Sequence, residues 1–509
     1  MRAPRSWTVL AAVAACATAL PGASAAADHR ATPPHVAPIT ATSSSGLLGQ
    51  AGRWMVDRNG RVVIEHGFNL VDKVAPYEPS VGGFGASDAQ FLADHGFNAV
   101  RLGILPEAVE PRPGHFDDAY LRGIRATQQL LAHYGIRSLL DFHQDLYNEK
   151  FQGEGLPAWM IDDDGLPVVP KVGFPANYFV MPALQEAFAN LFANAPGPGG
   201  VGLRTRYVAL VRHVARYFHG VPGVLGYDVF NEPFPGPQFL ACFPPLGCPS
   251  VDRSELAPFM ADVIRAVHAE DPKTLAFFEP WVTFDYGAPT AVGRVAPGPV
   301  GMSFHDYCLG TLGLPSFPGE QPLCDAAVET RAMSNAMHQA ATAGSVLLLT
   351  EFGASTDLGD IGEILSLADA HDISWLEWAY CDCGDPTGNG MKEAMVFDTH
   401  KAPRGANVNH STLRLLDEPY PQLVSGTPTS TSFDTSSNVL HVSWSTRSPT
   451  GHGFGAGART RIYTSPLHYP HGYTVTVRGA RVIGAATGPY LVLAQRAGAD
   501  DVSVTLRAR

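Results

Sequence analysis

Short apolar runs alternate with longer amphipathic stretches along most of this chain, and the alternation restricts the fold more than any other feature. Eight runs are predicted as buried strands: Val62–Leu70, Ala99–Leu102, Ile136–Phe142, Val224–Phe230, Thr274–Phe278, Val300–Phe304, Val346–Thr350 and Ile373–Ala379. Helical patterns lie between most of them, the clearest with Leu203, Tyr207 and Leu210 on one apolar face. This order predicts an α/β fold, a closed (β/α)8 TIM barrel. An open doubly wound sheet is the alternative, but no GxGxxG phosphate-binding turn directly follows a predicted strand.

The pattern changes after Asn409, where short alternating runs are bounded by Gly, Pro and Asn. They predict a second domain, a small C-terminal β-sandwich: Val439–Ser445, Thr460–Thr464, Tyr473–Val477, Tyr490–Ala494 and Val502–Leu506. We therefore divide the chain into a flexible leader rich in Ala, Ser, Thr and Pro (28–50), a catalytic barrel domain (51–409) and the β-sandwich domain (410–509). We expect the sandwich to pack on the barrel and stabilise it, rather than to be a separate binding module.

Residues 1–27 are typical of a signal peptide for export. Arg2 and Arg5 form a positive region, Trp7–Leu20 forms an apolar region too short to span a bilayer, and a small-residue Ala-Ser-Ala motif follows. These features predict a secreted protein. The alternative is a lipid-anchored protein, because Val-Ala-Ala-Cys16 resembles a bacterial lipoprotein motif in which Cys16 would carry the lipid.

Charge and cysteine content limit the possible partners. The net charge of −13 argues against nucleic acid and provides no basic patch for anionic membranes. Six cysteines lie beyond the signal, an even number that suggests disulfides in an exported chain. Two local pairs are plausible: Cys242–Cys248 and Cys308–Cys324. A bond between Cys381 and Cys383, with one residue between them, would be strained. We expect no metal or other cofactor, and a monomer.

Two of the predicted strands lead directly into a carboxylic acid. The fourth run leads into Asn231-Glu232-Pro233 and the seventh into Glu351. Pro233 has no N–H group to donate, so strand pairing ends there and Glu232 lies at the carboxyl end of its strand. Barrel enzymes place their active sites at this rim. Two carboxyl groups there are the minimum equipment for cleaving a glycosidic bond.

Other predicted strands also end in polar or aromatic residues. The candidates are Lys73, Arg101, Asp141, His143, Asn231, His305, Tyr307 and Trp378. Each has a structural explanation of its own, because a single Arg is usually an ion-pair partner, a single His a buried hydrogen-bonded residue and a single Trp a packing residue. Their concentration at one rim of a barrel is what indicates an active site.

The chain resembles glycoside hydrolase family 5, which belongs to a clan of retaining (β/α)8 glycosidases, in residues spread over the whole barrel: Arg101, His143, Asn231-Glu232-Pro233, His305-x-Tyr307, Glu351 and Trp378. Further stretches resemble the endoglycoceramidases, secreted enzymes that separate an oligosaccharide from ceramide: Gly67–Lys73 followed by Pro76-Tyr77, Asp141–Asp145, and the C-terminal β-domain.

The resemblance implies a role for each candidate. Glu232 would be the general acid and base, and Glu351 the nucleophile that forms a glycosyl-enzyme intermediate. Arg101 and His305 would support this pair. The residues that would bind the sugar are Lys73, Asp141, His143, Asn231, Tyr307 and Trp378. The implied substrate is a glycosphingolipid, reached through transient contact with a membrane or micelle surface.

Apolar residues in the loops after the fourth, fifth and sixth predicted strands fit a lipid substrate. They are Phe234, Phe239, Leu240, Phe243, Phe284, Tyr286, Leu309, Leu312, Leu314 and Phe317. The alternative is that these side chains pack the loops onto the barrel. Two rival functions stay open: an endo-β-glycanase acting on soluble polysaccharide, which would share the catalytic residues, and a non-catalytic carbohydrate- or lipid-binding barrel, which would need a lost carboxylate.

Overall fold

The computed structural model describes residues 46–307, 326–387, 393–484, 486 and 488–509. Its strands are β1 (Gly49–Ala51), β2 (Trp54–Val56), β3 (Val62–Val63), β4 (His66–Leu70), β5 (Ala99–Ile104), β6 (Arg137–Phe142), β7 (Val224–Asp228), β8 (Leu275–Phe278), β9 (Val300–Asp306), β10 (Val346–Phe352), β11 (Ser374–Glu377), β12 (Pro421–Val424), β13 (Thr427–Asp434), β14 (Val439–Ser445), β15 (Arg459–Tyr463), β16 (Tyr473–Arg478), β17 (Ala480–Ile483), β18 (Tyr490–Gln495) and β19 (Asp501–Ala508). The predicted signal peptide, Cys16 and most of the leader lie outside the described residues.

The α-helices surround the barrel or connect it to the sandwich. They are α1 (Ala86–Asp94), α2 (Pro106–Val109), α3 (Asp118–His133), α4 (Ala176–Val180), α5 (Pro182–Phe192), α6 (Leu203–Phe218), α7 (Pro249–Val251), α8 (Ala257–Glu270), α9 (Ala326–Ala343), α10 (Leu358–Ala370) and α11 (His410–Leu416). Within the described residues, none of these helices combines the length and the apolar character needed to cross a membrane.

Strands β4 to β11 are parallel and close into a barrel in chain order, with β11 returning to β4. The predicted (β/α)8 barrel is confirmed, and each predicted run overlaps one barrel strand. Every residue of these strands is buried, and for this reason the sequence shows continuous apolar runs instead of alternation. The first predicted run is divided, because its first two residues form β3 and pair outside the barrel.

Apolar side chains close the amino-terminal end of the barrel. Phe277 fills its interior between two glycines, since a Cβ atom at Gly301 would lie 2.2 Å from the Phe277 ring and one at Gly226 would lie 2.9 Å from it. The cluster around Phe277 joins barrel residues to three residues that precede the barrel: Leu139, Leu225, Leu275, Leu348 and Leu376 with Leu48, Met55 and Val63. This end is therefore a packed core, and any site must lie at the opposite end.

Two antiparallel sheets form the second domain. The larger has the strand order β1-β2-β3-β12-β15-β18-β17 and the smaller β13-β14-β19-β16. Residues of both sheets share one apolar cluster, with Ile462 and Leu491 from the larger and Val442, Trp444 and Val504 from the smaller. The predicted C-terminal β-sandwich is confirmed by this packing, and its five predicted runs correspond to β14, β15, β16, β18 and β19.

The larger sheet also contains segments that the sequence placed elsewhere. Strand β1 begins within the segment assigned to the leader, and β2 and β3 lie in the segment assigned to the barrel domain. They join the sandwich because β3 pairs antiparallel with β12, where Val63 lies opposite Leu423. Strands of two or three residues give too short a pattern to be recognised before their partner is known.

The sandwich packs on the barrel through buried hydrogen bonds. The Tyr420 hydroxyl donates to the Gly96 carbonyl at 2.8 Å, and the Asp417 carboxylate contacts His95 at 2.6 Å and accepts from Tyr463 at 2.7 Å. Gly96 has a φ of +76°, and a Cβ atom there would lie 2.6 Å from the Tyr463 ring. The two domains thus share an interface that requires glycine at position 96, because of both the left-handed backbone conformation and the close approach of the Tyr463 ring.

Candidate active site

Arg101 on β5 is fully buried at the centre of the barrel's carboxyl-terminal end. Its guanidinium forms ion pairs with Asp141 (2.9 Å), Asp228 (3.0 Å), Glu279 (2.9 Å) and Glu351. Burial opposes the charge, but these carboxylates raise the pKa of Arg101 well above its usual value. A buried charge is stable only when it is paired in this way. Arg101 therefore fixes side chains contributed by four other strands or their ends.

Glu351 on β10 is held by two donors. One carboxylate oxygen is paired with Arg101, and the other accepts a hydrogen bond from the Tyr307 hydroxyl at 2.9 Å. Donors on both oxygens, one of them a cation, fix the orientation of this carboxyl group. The side chain is buried yet lines a cavity, so a carboxyl group oriented by two donors faces the space where a substrate can bind.

Glu232 follows β7 in a backbone conformation that is rare for residues other than glycine, with a φ of 41°. Its N–H donates to the Glu279 carboxylate at 2.8 Å. The Gln144 amide donates to the carbonyl oxygens of Asn231 and Glu232 at 2.9 Å and 3.0 Å. A left-handed conformation of this kind costs about 1–3 kcal/mol and persists where surrounding bonds enforce it, as at many active sites.

The protonation of Glu232 differs from that of an ordinary carboxylate. Burial raises the pKa of Glu232 to about 7, against a hydrogen bond from His305 at 3.0 Å that lowers it. Glu232 can therefore carry a proton near neutral pH, as a general acid must. A carboxylate oxygen of Glu232 lies within 4.8 Å of one of Glu351. Carboxyls about 5–5.5 Å apart are typical of retaining glycosidases, whereas inverting enzymes leave room for a water between them.

A second charged group surrounds Lys73, which follows β4. Its ammonium pairs with Asp145, with Asp385 at 3.1 Å and with Glu154 at 3.4 Å, and it lies 4.5 Å from the centre of the Trp378 ring. Burial opposes the charge, but the three carboxylates raise the pKa of Lys73 well above its usual value. Fixed donors and acceptors beside an aromatic face are suited to sugar hydroxyls and a sugar ring.

His143 connects the two charged groups. Its Nδ1 atom lies 2.7 Å from Asp141 and its Nε2 atom 3.3 Å from Asp145, while its ring stacks on Trp378 with centroids 5.4 Å apart. Burial opposes a charge on the imidazole, but Asp141 and Asp145 raise the pKa of His143 to about 10. The ring is therefore cationic at neutral pH, and its orientation is fixed from both sides.

Two groups of buried ligand-type side chains lie at this rim, each with its atoms within 4.8 Å of one another: His143, Asp145 and Glu154, and Glu232, His305 and Glu351. The Lys73 ammonium already contacts the carboxylates of the first group. In the second, burial opposes the charge of His305, but Glu351 and Glu279 raise its pKa well above the usual value. Each group thus contains or contacts a cationic side chain of the protein itself.

A cavity of about 130 Å³ opens above Glu232 and Glu351. One set of lining residues is charged, polar or aromatic and is called the sugar end: Lys73, Asp145, Trp378, Asp385, Thr387 and Glu393. Another set is apolar or aromatic: Phe174, Pro175, Tyr178, Phe179, Val282 and Tyr286. The carboxyl groups of Glu232 and Glu351 thus face a cavity that is lined by polar residues and by apolar residues.

Comparison with known families fits this geometry. Residues 56–384 match the family model described as cellulase (glycosyl hydrolase family 5), and residues 419–507 match the glycoside hydrolase family 5 C-terminal domain. The chain belongs to glycoside hydrolase family 5. The matched residues include the whole barrel to β11 and nearly all of the C-terminal part of the sandwich.

Within the family, this hydrolase groups with the endoglycoceramidases. It is 32% identical to endoglycoceramidase I of Rhodococcus hoagii (strain 103S), over 89% of this chain and 87% of that protein. It is 28% identical to the endoglycoceramidase of Hydra vulgaris, over 82% and 80%. It also resembles the structure of the lactosyl-enzyme intermediate of endo-glycoceramidase II from Rhodococcus sp., with a TM-score of 0.72, 25% identity and coverage of 90% of this chain and 99% of that chain.

The predicted site residues of the hydrolase all lie at the carboxyl-terminal end of the barrel. They are Lys73, Arg101, Asp141, His143, Asn231, Glu232, His305, Tyr307, Glu351 and Trp378. Sequence reasoning missed residues that contact this set: Asn69, Asp228, Asp285, Asp385 and Thr387. Asp228 belongs to the strand that leads to Glu232, and its charge within an apolar run was a usable signal.

The apolar rim loops are less exposed than a lipid-binding role predicts. Phe234, Phe239 and Phe284 are buried in the barrel core, so packing, the alternative explanation, accounts for them. Tyr286 lines the cavity and Leu240 is 51% exposed. The four candidates in the loop after β9 lie outside the described residues: Leu309, Leu312, Leu314 and Phe317.

Exposed apolar side chains occur instead in the connection after β6, a long loop whose apolar residues sequence reasoning did not name. Together with two exposed residues after β7, these side chains form a surface that we call the apolar lip. Its residues are Leu166, Val169, Val172 and Phe174 after β6, and Leu240 and Leu246 after β7. Phe174 also lines the cavity. The two connections are in contact, since the Phe179 ring lies 5.5 Å from Phe239. The lip is therefore continuous with the apolar lining of the cavity.

Two disulfides occur in the described residues. Cys242–Cys248 was predicted, and the predicted Cys308–Cys324 pair lies outside the described residues. Cys381 and Cys383 are bonded to each other, although the sequence argued against this pair. Cys383 adopts a left-handed conformation, with a φ of 48°, which turns the chain so that the sulfur atoms meet. Its carbonyl accepts from the Lys73 N–H at 3.2 Å, which connects this turn to the sugar end.

Proposed function

We propose that this hydrolase cleaves the bond between oligosaccharide and ceramide in glycosphingolipids, with Glu232 as acid and base and Glu351 as nucleophile. The observation that carries the proposal is a carboxyl pair within 4.8 Å in a cavity that has a sugar end and an apolar lining. A sugar linked to a lipid fits a cavity with these two kinds of lining, because the sugar is polar and the lipid is apolar. The names of the relatives support the same reaction, and a lactosyl-enzyme intermediate is described for one of them.

In the first step, Glu351 attacks the anomeric carbon while Glu232 donates its proton to the glycosidic oxygen. The proton is available because burial raises the pKa of Glu232 to about 7. The bond between the anomeric carbon and that oxygen breaks, ceramide leaves as an alcohol, and the sugar becomes an ester of Glu351. Arg101 and Tyr307 hold the attacking carboxylate in place through its two oxygens.

In the second step, Glu232, now ionised, removes a proton from water, and the resulting hydroxide attacks the anomeric carbon. The ester bond to Glu351 breaks, and the oligosaccharide leaves with its original anomeric configuration. During both steps, Lys73, Asp141, His143 and Asn231 bind the hydroxyls of the first sugar, and Trp378 supports its ring. Their mutual bonds fix these groups before substrate arrives, which lowers the entropic cost of the reaction.

The ceramide would leave the active site toward the apolar lip. Phe174 belongs both to the cavity wall and to the exposed apolar surface, so it marks a continuous path between them. Exposed apolar patches of this kind are typical of membrane- or lipid-contacting surfaces. We therefore place transient contact with a membrane or micelle at the lip.

We also propose that the enzyme is secreted after removal of residues 1–27, from the pattern of its first residues. The alternative is anchoring through a lipid on Cys16. Cell fractionation followed by mass spectrometry of the mature N-terminus distinguishes the two. A free, shortened N-terminus in the medium supports secretion, whereas a diacylated Cys16 in the membrane fraction contradicts it.

Thin-layer chromatography tests the reaction directly. The mature protein is incubated in parallel with a detergent-dispersed ganglioside, with glucosylceramide and with a soluble β-glucan. We expect intact oligosaccharide and free ceramide from at least one glycolipid, with the anomer first released keeping its configuration in a proton NMR time course. Cleavage of the glucan alone would overturn the glycolipid proposal and leave an endo-β-glycanase with the same two glutamates.

A further inference from the structure

The turn that follows β11 supplies two partners of the buried Lys73 ammonium. The Lys73 Nζ atom lies 3.1 Å from the Asp385 carboxylate and donates to the Thr387 hydroxyl at 3.0 Å. Thr387 donates to the Asp385 carboxylate from its hydroxyl at 2.6 Å and from its N–H at 2.8 Å. Asp385 and Thr387 both line the cavity, so the turn adds polar groups to the wall that a sugar would contact.

The same turn also contacts the main chain at Lys73. The Lys73 N–H donates to the Cys383 carbonyl at 3.2 Å. A Cβ atom at Gly384 would lie 2.4 Å from the Val74 side chain, so the turn packs closely on this segment. Lys73 is therefore held at its backbone and at its ammonium by residues of one short stretch, and a movement of that stretch would act on Lys73 at both points.

The backbone of the turn has an unusual conformation. Residues 382–387 belong to no helix or strand, and the successive residues Cys383 and Gly384 have φ values of 48° and 71°. Glycine adopts this left-handed conformation readily, whereas a residue with a Cβ atom does so rarely. The bond from Cys381 to Cys383 spans two positions of the chain, so it constrains the Cys383 backbone directly. The disulfide thus keeps Cys383 in a conformation that it would otherwise seldom adopt.

We propose that the Cys381–Cys383 disulfide is a redox-sensitive positioning element for sugar binding, which keeps Asp385 and Thr387 against Lys73. The inference rests on the proposed function of the sugar end, but not on the identity of the lipid. Without the bond, Cys383 relaxes toward a negative φ, and the turn moves away from Lys73. The ammonium keeps Asp145 and Glu154 as partners, so the expected result is weaker sugar binding and not unfolding.

A dithiol reductant such as dithiothreitol breaks the bond in a balanced reaction. One thiolate of the reductant attacks a sulfur of the disulfide, and its second thiolate then displaces the mixed disulfide. Two electrons pass to the enzyme, Cys381 and Cys383 each take up a proton, and the reductant becomes a cyclic disulfide. Cys381 is 7% exposed and Cys383 is partly exposed, so we expect the attack at the Cys383 sulfur.

Sugar binding with and without the bond tests the proposal. Because dithiothreitol also reaches other cysteines, the bond is removed in the double variant Cys381→Ala with Cys383→Ala. We expect its Kd for lactose, measured by isothermal titration calorimetry, to rise about tenfold, as is typical when hydrogen bonds to a charged group are lost. Calorimetry requires no turnover, so it tests this inference even if the thin-layer assay shows no cleavage of glycolipid.

Three further measurements separate positioning from general stability. KM for a soluble aryl lactoside should rise by the same factor while kcat changes by no more than about threefold, because the partners of Glu232 and Glu351 lie on other elements. The Lys73 amide should exchange its hydrogen at least about tenfold faster, since it loses the Cys383 carbonyl. The Tm should fall by no more than about 3 °C, because a cross-link over so short a stretch restricts the unfolded chain least.

Two other variants serve as controls. Cys242→Ala with Cys248→Ala removes a disulfide whose cysteines do not line the cavity, and it should leave the Kd for lactose unchanged. Cys381→Ala with Cys383→Gly removes the bond but permits the left-handed conformation, so it should recover part of the lost affinity. If an Ala variant fails to fold, the wild-type protein before and after reduction by dithiothreitol gives the same comparison, and reoxidation should restore the affinity.

Four outcomes would overturn the proposal. Free thiols at Cys381 and Cys383 in the mature protein, found by mass spectrometry of alkylated peptides, would mean that the bond does not form. A wild-type Kd for lactose in the Ala variant would mean that the turn keeps its position without the bond. Equal losses in that variant and in the Cys242 control would mean that the disulfides act through the fold. Lactose that binds neither protein would remove the sugar end itself, and the inference with it.

Discussion

The sugar end and the apolar lip are built in opposite ways. At the sugar end, the Lys73 ammonium is buried and contacts Asp145, Glu154, Asp385 and Thr387. The lip, in contrast, exposes its side chains, with Val169 at 61%, Val172 at 57% and Leu246 at 78%. The sugar end is therefore assembled before the substrate arrives. The lip keeps apolar surface in water, where a lipid can cover it.

This difference determines which substitutions the molecule tolerates. Removing one charge from the sugar end leaves opposite charges buried and unpaired, which typically costs about 3–5 kcal/mol of stability. A substitution on the exposed lip typically changes stability by no more than about 0.5 kcal/mol. Under the proposed function, sugar recognition is thus tied to folding, while lipid recognition can vary without harm to the fold.

The largest effect is expected at Glu351, because the proposed reaction requires this residue however the sugar end and the apolar lip bind the substrate. Glu351→Gln keeps the shape of the side chain and its contact with Tyr307 but removes the nucleophile. We expect kcat/KM for a detergent-dispersed glycolipid to fall by roughly 10⁵-fold or more, while binding of the substrate persists. Mass spectrometry of released ceramide measures the first quantity and calorimetry the second.

Glu186→Gln is the control for this substitution, because Glu186 lies on α5 and does not line the cavity. It should retain wild-type activity. If Glu351→Gln retains activity within about tenfold of the wild type, the assignment of the nucleophile is wrong.

The barrel, and the place of Glu232 and Glu351 at its rim, are the parts that the sequence predicts well. Parallel strands buried on both faces must be apolar throughout, so they appear as continuous runs that alternate with helices. Glu232 and Glu351 follow such runs directly or end them, so their place at the rim follows from the strand assignment. The charged groups at the other strand ends were found by the same rule.

Features that depend on distant partners or irregular chain were not predictable. Strands β1 to β3 have their pairing partner in the sandwich, at the other end of the chain. Asp385 and Thr387 reach Lys73 from the connection after β11, which has no periodic pattern. Most of the lip belongs to the connection after β6, where the exposure of a side chain depends on tertiary packing and cannot be read from the sequence.

The next largest effect is expected at Lys73. Lys73→Met keeps the length of the side chain but leaves Asp385 and Glu154 without their cation and Asp145 with His143 as its remaining cationic partner. We expect a loss of about 3–5 kcal/mol in the free energy of unfolding, measured by urea denaturation, and a fall of about 10²-fold in kcat/KM on a soluble aryl lactoside. The buried network predicts both losses together.

Lys150→Met is the matched control for Lys73. Lys150 is 41% exposed and pairs with Asp163, so its removal should change stability by no more than about 0.5 kcal/mol. Equal effects of the two substitutions would contradict the view that burial makes the sugar end different.

A smaller, pH-dependent effect is expected at His305. Glu232 must be protonated to act as the acid, and its pKa is about 7, so kcat/KM should fall about tenfold for each unit of pH above that value. The hydrogen bond from His305 lowers the pKa of Glu232. His305→Asn removes this cation, so burial dominates and the alkaline limb of the profile should move to higher pH.

The profile is measured with a soluble substrate, so that the lip has no part in it. His213→Asn is the control, because His213 lies on α6 away from the cavity, is partly exposed and pairs with Asp118. It should leave the alkaline limb in place. A limb that stays in place or moves to lower pH in His305→Asn would mean that Glu232 is not the group that titrates.

The smallest effect is expected at the lip, and it should depend on how the substrate is presented. In the double variant Val169→Ser with Val172→Ser, the lost apolar contact is worth on the order of 1 kcal/mol or somewhat more, so activity on glycolipid in phosphatidylcholine vesicles should fall about tenfold. Activity on a soluble aryl lactoside should not change, because neither residue lines the cavity. Leu47→Ser is the control, since Leu47 is 45% exposed beside the closed amino-terminal end of the barrel. If the activity on both substrates falls equally, the two substitutions act through the fold, and the apolar lip and the sugar end are not independent. If the activity falls on neither substrate, the enzyme contacts the vesicle surface through a part of its own surface other than the apolar lip.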